Sequence, residues 1–118
     1  ILTVGPVLHD AKKALHRLEE KGIEADLYDM IWVKPLDTEL LDRIGKKHKA
    51  IITIEDGVKT GGFGSAVTEW CRDNHKNLKV EVLGAPDSWV THGAIAELKH
   101  DCGYDSNGIE NAILSMIS

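Results

Sequence analysis

Short apolar runs alternate along this chain with longer stretches in which apolar residues recur every three or four positions. The runs ILTV, AIITI and LKVEV predict strands, and the stretches between them predict helices. Alternation of this kind predicts an α/β fold, a three-layer sandwich with a mostly parallel sheet. Right-handed crossovers between parallel strands would place helices on both faces of that sheet.

The chain has 118 residues, which predicts a single domain over 1–118. It begins inside an apolar strand, ILTVG, without a Met, so we expect a fragment of a longer protein. A net charge of −5 argues against nucleic acid as a partner. No apolar run approaches the ~18 residues of a membrane span, and two cysteines make no disulfide framework. These features predict a cytoplasmic protein.

Several local signals predict where the helices begin and which side they bury. Asp37 is a good N-cap for the second helix, and Gly22 is a natural end for the first. Asn107 and Glu110 have the spacing of a capping box at the start of the last helix. The predicted apolar stripe of the first helix is Val7, Leu8, Ala11, Leu15 and Leu18, and that of the last is Ile109, Ile113, Met116 and Ile117.

A glycine-rich loop between a predicted strand and a predicted helix has the order of elements found in phosphate-binding loops. Its glycines are Gly61, Gly62 and Gly64. A Walker A loop needs Lys and Ser/Thr after the glycines, whereas Lys59 and Thr60 precede them. The segment GGFGSA also lacks the third glycine of a dinucleotide-binding loop. We therefore interpret the glycines as serving a turn and close packing.

The charge and apolar pattern around this loop support the packing interpretation. Glu55 and Asp56 place two negative charges before the glycines, where they would repel a phosphate. Phe63, Val67 and Trp70 recur at helical spacing after the loop. The sequence therefore predicts that Phe63 points into the core and begins the buried side of a helix.

No set of residues in the chain completes a catalytic or metal site. Cys71 and His75 stand four apart on a predicted helix, but Cys71 lies in the apolar stripe and is expected to be a core thiol. Asp87 and His92 could form an acid–base pair, although a loop Asp more often forms a turn, and their role stays open. No zinc spacing is formed by His92, His100 and Cys102. The residues thus predict no catalytic, cofactor-binding or metal site.

Three ordered segments resemble the C-terminal domain of the transketolase-like, thiamine diphosphate-dependent enzymes: VKPLDTELLDRI, IITIEDGVKTGGFGSAV and LGAPDSWVTHG. The closing segment CGYDSNGIENAI is similar as well. Within that family the segments are most similar to the 1-deoxy-D-xylulose-5-phosphate synthases. The alternatives are the C-terminal domain of transketolase or of a 2-oxo acid dehydrogenase β-subunit, and a free-standing α/β interaction domain.

This resemblance implies a parent transferase of isoprenoid biosynthesis that condenses pyruvate with glyceraldehyde 3-phosphate and releases CO2. Thiamine diphosphate, anchored by Mg²⁺, would supply the carbanion chemistry in the parent. The domain would give structural support and dimer contacts, and its partners would be the preceding domains of the same chain and a second subunit. The family's G-D-G cofactor motif is missing, since the one DG here is Asp56-Gly57 after Glu55. We therefore expect the isolated chain to be inactive and to bind neither thiamine diphosphate nor Mg²⁺.

Overall fold

A computed structural model shows a parallel sheet between two layers of helices, which confirms the predicted α/β sandwich. It describes residues 1–4, 7–30, 36–58, 62–75, 77–85 and 103–117. The strands are β1 (Leu2–Val4), β2 (Tyr28–Asp29), β3 (Ala50–Val58) and β4 (Lys79–Ala85). The helices are α1 (Leu8–Glu20), α2 (Thr38–Lys47), α3 (Phe63–Asn74) and α4 (Ser106–Ile117).

The sheet has the strand order β2-β1-β3-β4, and every pairing is parallel. Leu2 in β1 lies opposite Tyr28 in β2 and Thr53 in β3. The helices α1, α2 and α3 supply the crossovers that parallel neighbours require. Because the chain passes from β1 to β2 on one side and then to β3 on the other, the strand order reverses between β1 and β3.

Two apolar cores lie on opposite faces of this sheet. Successive residues of a strand point to opposite faces, so Ile51 joins one core while Ile52 and Ile54 join the other. The first core packs α1 and α4 onto the sheet with Val7, Ala11, Ala14, Leu18, Ile52, Ile54, Leu83, Tyr104, Ile109 and Ile113. The second packs α2 and α3 with Leu2, Met30, Leu41, Ile44, Ile51, Phe63, Val67 and Cys71.

The predicted buried stripe of α1 needs one correction. Leu8 and Leu15 are only half-buried, whereas Ala14 is fully buried. Small alanines on the inner side let α1 lie close to the sheet, and the larger leucines fit at the margin. The fully buried side consists of Val7, Ala11, Ala14 and Leu18.

The start of α2 is as predicted, and the start of α4 is not. The Leu40 N–H donates to Asp37 Oδ1 at 3.1 Å, which confirms the N-cap. At α4 the Gly108 N–H donates to Asp105 Oδ1 at 2.8 Å, so the predicted capping box is wrong. Asn107 instead accepts a hydrogen bond from Arg17.

Tertiary contacts with α1 explain why the box does not form. Lys21 Nζ lies 2.8 Å from Glu110 Oε1, so that carboxylate points toward α1 rather than back to its own helix end. The predicted stripe of α4 also ends early, because Ile117 is 56% exposed. None of the described helices is long and apolar enough to span a membrane.

Candidate functional site at the carboxyl edge of the sheet

The carboxyl ends of β1 and β3 meet where the strand order reverses, which is the usual ligand position in open α/β sheets. Val4 at the end of β1 lies opposite Glu55 in β3. The helix α3 begins at Phe63, just after the glycine loop, so its positive N-terminal end lies at this edge. The described part of the loop is Gly62, while Lys59, Thr60 and Gly61 lie outside the described residues.

Glu55 occupies the amide groups at the start of α3. The Phe63 N–H donates to Glu55 Oε2 and the Gly64 N–H donates to Glu55 Oε1, both at 3.3 Å. The N-cap residue, Gly62, has no side chain that could make these bonds. A carboxylate from the preceding strand therefore caps the helix, and an incoming phosphate would have to displace it.

Of the two described glycines of this loop, Gly62 and Gly64, neither has a positive φ, and Gly64 serves close packing. Gly62 has an ordinary extended backbone, with φ of −91°. Gly64 is buried against the sheet, and a Cβ there would lie 2.8 Å from Thr53 Oγ1 and collide with Val82. The prediction that one of these glycines presses against a neighbouring segment is confirmed at Gly64.

The Thr53 hydroxyl has no hydrogen-bond partner, although the side chain is 1% exposed. A Cβ on Gly64 would lie 2.8 Å from this hydroxyl oxygen, so the oxygen faces the Cα hydrogen that occupies the Cβ position in glycine. A Cα–H···O contact is the weak compensation that this geometry offers. The strand β3 and the helix α3 therefore approach each other as closely as a glycine permits.

The helix that follows has the predicted core side. Phe63, Val67 and Cys71 are almost fully buried, and Trp70 is half-buried. Burial raises the pKa of the Cys71 thiol. Because only the thiolate is a good nucleophile or metal ligand, Cys71 is the core thiol that the sequence predicted.

His75, four positions after Cys71, has other partners than the thiol. His75 Nε2 lies 2.9 Å from Asp42 Oδ1 on α2, and the His75 ring lies 5.3 Å from the Trp70 ring. The described residues contain no group of three His, Cys, Asp or Glu side chains that could hold a metal ion. The other candidates fall outside the described residues: Asp87, His92, His100 and Cys102.

Sequence reasoning missed two Asp–His–Lys clusters around α2. In one, Asp26 lies 2.8 Å from Lys47 Nζ and 2.9 Å from His48 Nε2. The hydrogen bond from Lys47, and then that from His48, lowers the pKa of Asp26.

In the other cluster, Lys46 and then His75 lower the pKa of Asp42 in the same way. The pairs Asp26–His48 and Asp42–His75 are 22 and 33 positions apart, so no local pattern could have shown them. Both clusters fasten α2 to its neighbours.

A family model described as the transketolase C-terminal domain matches residues 1–109. The chain belongs to the transketolase C-terminal domain family. A solved structure titled as a split gene transketolase, an inactive beta4 tetramer, agrees with this assignment. It has a TM-score of 0.87 and 28% identity, and the match covers 97% of this chain and 37% of that one.

Curated relatives of this transketolase C-terminal domain include several 1-deoxy-D-xylulose-5-phosphate synthases. The synthase of Phocaeicola vulgatus is 42% identical over 116 residues, or 98% of this chain and 18% of that protein. That of Parabacteroides distasonis is 45% identical over 109 residues, or 92% of this chain and 17% of that protein. The chain therefore spans less than a fifth of the length of these relatives.

Proposed function

We propose that this chain is the C-terminal domain of a 1-deoxy-D-xylulose-5-phosphate synthase. The parent enzyme would condense pyruvate with glyceraldehyde 3-phosphate and release CO2. The observation that carries the proposal is identity of 42% and 45% to synthases over nearly the whole chain. Identity to the transketolase structure is lower, at 28%, which favours a synthase over a transketolase as the parent.

Within that enzyme the domain supports the fold and subunit contacts and contributes no catalytic side chain. At the carboxyl edge, the amides that could bind a diphosphate are taken by Glu55. The described residues also lack a cluster of ligands for Mg²⁺. The described residues thus offer no fit for thiamine diphosphate with its metal ion, and we propose that other domains of the parent hold the cofactor.

A domain exchange tests the identity of the parent. The matching region of the Phocaeicola vulgatus synthase is replaced by this chain, and formation of 1-deoxy-D-xylulose 5-phosphate is measured. We expect the hybrid to remain active, and a hybrid carrying a transketolase C-terminal domain of equal length serves as the control. A folded but inactive hybrid, together with an active control hybrid, would contradict the proposal.

Calorimetry tests the supporting role. Thiamine diphosphate and Mg²⁺ are titrated into the isolated chain and, in parallel, into the active hybrid. We expect binding to the hybrid alone. Micromolar binding to the isolated chain would show that the domain holds the cofactor, which would contradict the role even if the parent is a synthase.

A further inference from the structure

The dipeptide Asn107-Gly108 lies in the first turn of α4 and has a reactivity of its own. The backbone nitrogen of the residue after an Asn can attack the Asn side-chain amide, and a glycine hinders that attack least because it has no side chain and the freest backbone. The other Asn residues precede larger ones, since His, Leu and Ala follow Asn74, Asn77 and Asn111. Asn107 is therefore the position at which this chain is most open to deamidation.

Close packing requires the glycine that makes this pair reactive. A Cβ on Gly108 would collide with the backbone carbonyl of Gly103, so the first turn of α4 passes directly over the turn that precedes it. Gly103 itself has a φ of +75°, a conformation that favours glycine. Because the fold keeps a glycine after Asn107, any control of the reaction must come from other residues.

Two hydrogen bonds hold the reacting groups apart. The Gly108 N–H donates to Asp105 Oδ1 at 2.8 Å, which keeps the proton on the nitrogen that would attack. Arg17 Nη1 donates to Asn107 Oδ1, so the exposed side-chain amide is turned toward α1. Both bonds involve a charged group, which makes them stronger than bonds between neutral groups. The five-membered ring of the product also cannot close while Asn107 keeps its helical backbone angles, so the turn must open first.

We propose that Asn107 is a deamidation site that Asp105 and Arg17 keep closed in the folded chain and that reacts when the first turn of α4 opens. The Gly108 nitrogen then gives up its proton and bonds to Asn107 Cγ, the Cγ–Nδ2 bond breaks, and the amide nitrogen takes up a proton and leaves as ammonia. Water opens the resulting succinimide at either of its two carbonyls and leaves aspartate or isoaspartate at this position. The inference concerns the chain itself and does not depend on which enzyme is the parent.

The two products would affect the contact between α1 and α4 in opposite ways. An aspartate carboxylate would face the Arg17 guanidinium and lie in the first turn of a helix, where negative charge is favourable. Isoaspartate carries the main chain through its Cβ, and the added methylene lies next to Gly108, which has no room to shift against Gly103. Slow deamidation would thus tighten one fraction of the molecules and loosen the other.

Thermal unfolding of Asn107→Asp measures the effect of the first product. The variant should melt at the same temperature as wild type or at a higher one, because the new carboxylate pairs with Arg17. Asn111→Asp, an exposed change of equal charge on the same helix, is the matched control. A larger loss of melting temperature in Asn107→Asp than in Asn111→Asp would overturn the proposed effect of this product.

Peptide mapping by mass spectrometry tests the site and its protection. The 118-residue chain is incubated at neutral pH, folded and in urea, and fragmentation of the tryptic peptide 100–118 separates reaction at Asn107 from reaction at Asn111. Methyl labelling by an isoaspartate methyltransferase detects the second product. We expect Asn107 to react fastest in urea and at least about tenfold more slowly in the folded chain, since reaction there waits for local opening. Equal rates in both states, or a faster reaction at Asn111 in urea, would overturn the proposal.

Substitution of the two guarding residues tests how the site is closed. Arg17→Ala and Asp105→Ala each remove a hydrogen bond to a charged group, which should raise the rate at Asn107 in the folded chain about tenfold and leave the rate in urea unchanged. Lys12→Ala, an exposed change on α1, is the control and should react as wild type does. Circular dichroism checks that each variant is folded, and Asp105→Asn, which keeps an acceptor oxygen but loses the charge, replaces Asp105→Ala if that variant unfolds. Folded variants that react at the wild-type rate, or a slower reaction in Arg17→Ala because the guanidinium activates the amide, would overturn the proposal.

Discussion

Replacing Gly64 by Ala should destabilise the domain, although Ala is the better helix former. The added Cβ would lie 2.8 Å from Thr53 Oγ1 and 3.1 Å from Val82 Cγ2, and still closer to Val82 Cγ1. Thr53 lies on the central strand β3 and is 1% exposed, so it has little room to move. The helix α3 must therefore shift away from the sheet.

Two opposing terms set the size of this effect. Overpacking a core costs about 1–3 kcal/mol, and the shift also lengthens the two bonds to Glu55, which are already 3.3 Å long. Against this, Ala in a helix gains at most about 1 kcal/mol over Gly. We expect a net loss of about 1–2 kcal/mol in the free energy of unfolding, or roughly 4–10 °C in melting temperature.

Urea unfolding of a double-mutant cycle measures the clash itself. Val82→Ala removes the methyl groups that the new Cβ would meet, so Gly64→Ala should cost about 0.5–1.5 kcal/mol less in that background. Gly22→Ala is the control: its φ of +78° makes Ala unfavourable, yet its Cβ would meet open space, so its cost should not depend on Val82. A Gly64→Ala variant as stable as wild type would refute the packing argument. So would a double variant whose loss of stability equals the sum of the losses of Gly64→Ala and Val82→Ala within about 0.3 kcal/mol.

Three further outcomes can be measured by thermal unfolding. Phe63→Ala should cost about 3–5 kcal/mol because the ring is buried; a loss below about 1 kcal/mol would contradict its core role. Glu55→Ala should cost about 0.5–2 kcal/mol and free two amides, so phosphate should stabilise this variant more than wild type. If phosphate stabilised wild type and Glu55→Ala equally, the capping of α3 by Glu55 would be contradicted. The pKa of Asp42 is lowered in the folded state. Its contribution to the stability of the fold is therefore present above its pKa in the unfolded chain and is lost as the pH falls through its pKa in the folded state. The gap in melting temperature between wild type and Asp42→Asn should close below about pH 4, and a gap independent of pH would contradict this assignment.

Local patterns in the sequence determined the elements and several of their ends. The alternation of strand and helix signals was enough for the α/β sandwich, because each signal depends on residues within a few positions of one another. The Asp37 cap and the buried Phe63–Val67 side of α3 follow for the same reason.

Only the tertiary structure decided which distant groups meet. Gly64 is needed because the register of β3 with β4 places Thr53 and Val82 beneath the first turn of α3. Glu55 was predicted only to repel an anion, whereas the fold turns its carboxylate onto the amides of that turn. Asn107 does not cap the last helix as predicted, because its side chain accepts a hydrogen bond from Arg17, 90 positions earlier. In each case the partner comes from another element. A hydrogen bond or a steric contact depends on the distance in space between the two groups, and local periodicity in the sequence does not encode that distance.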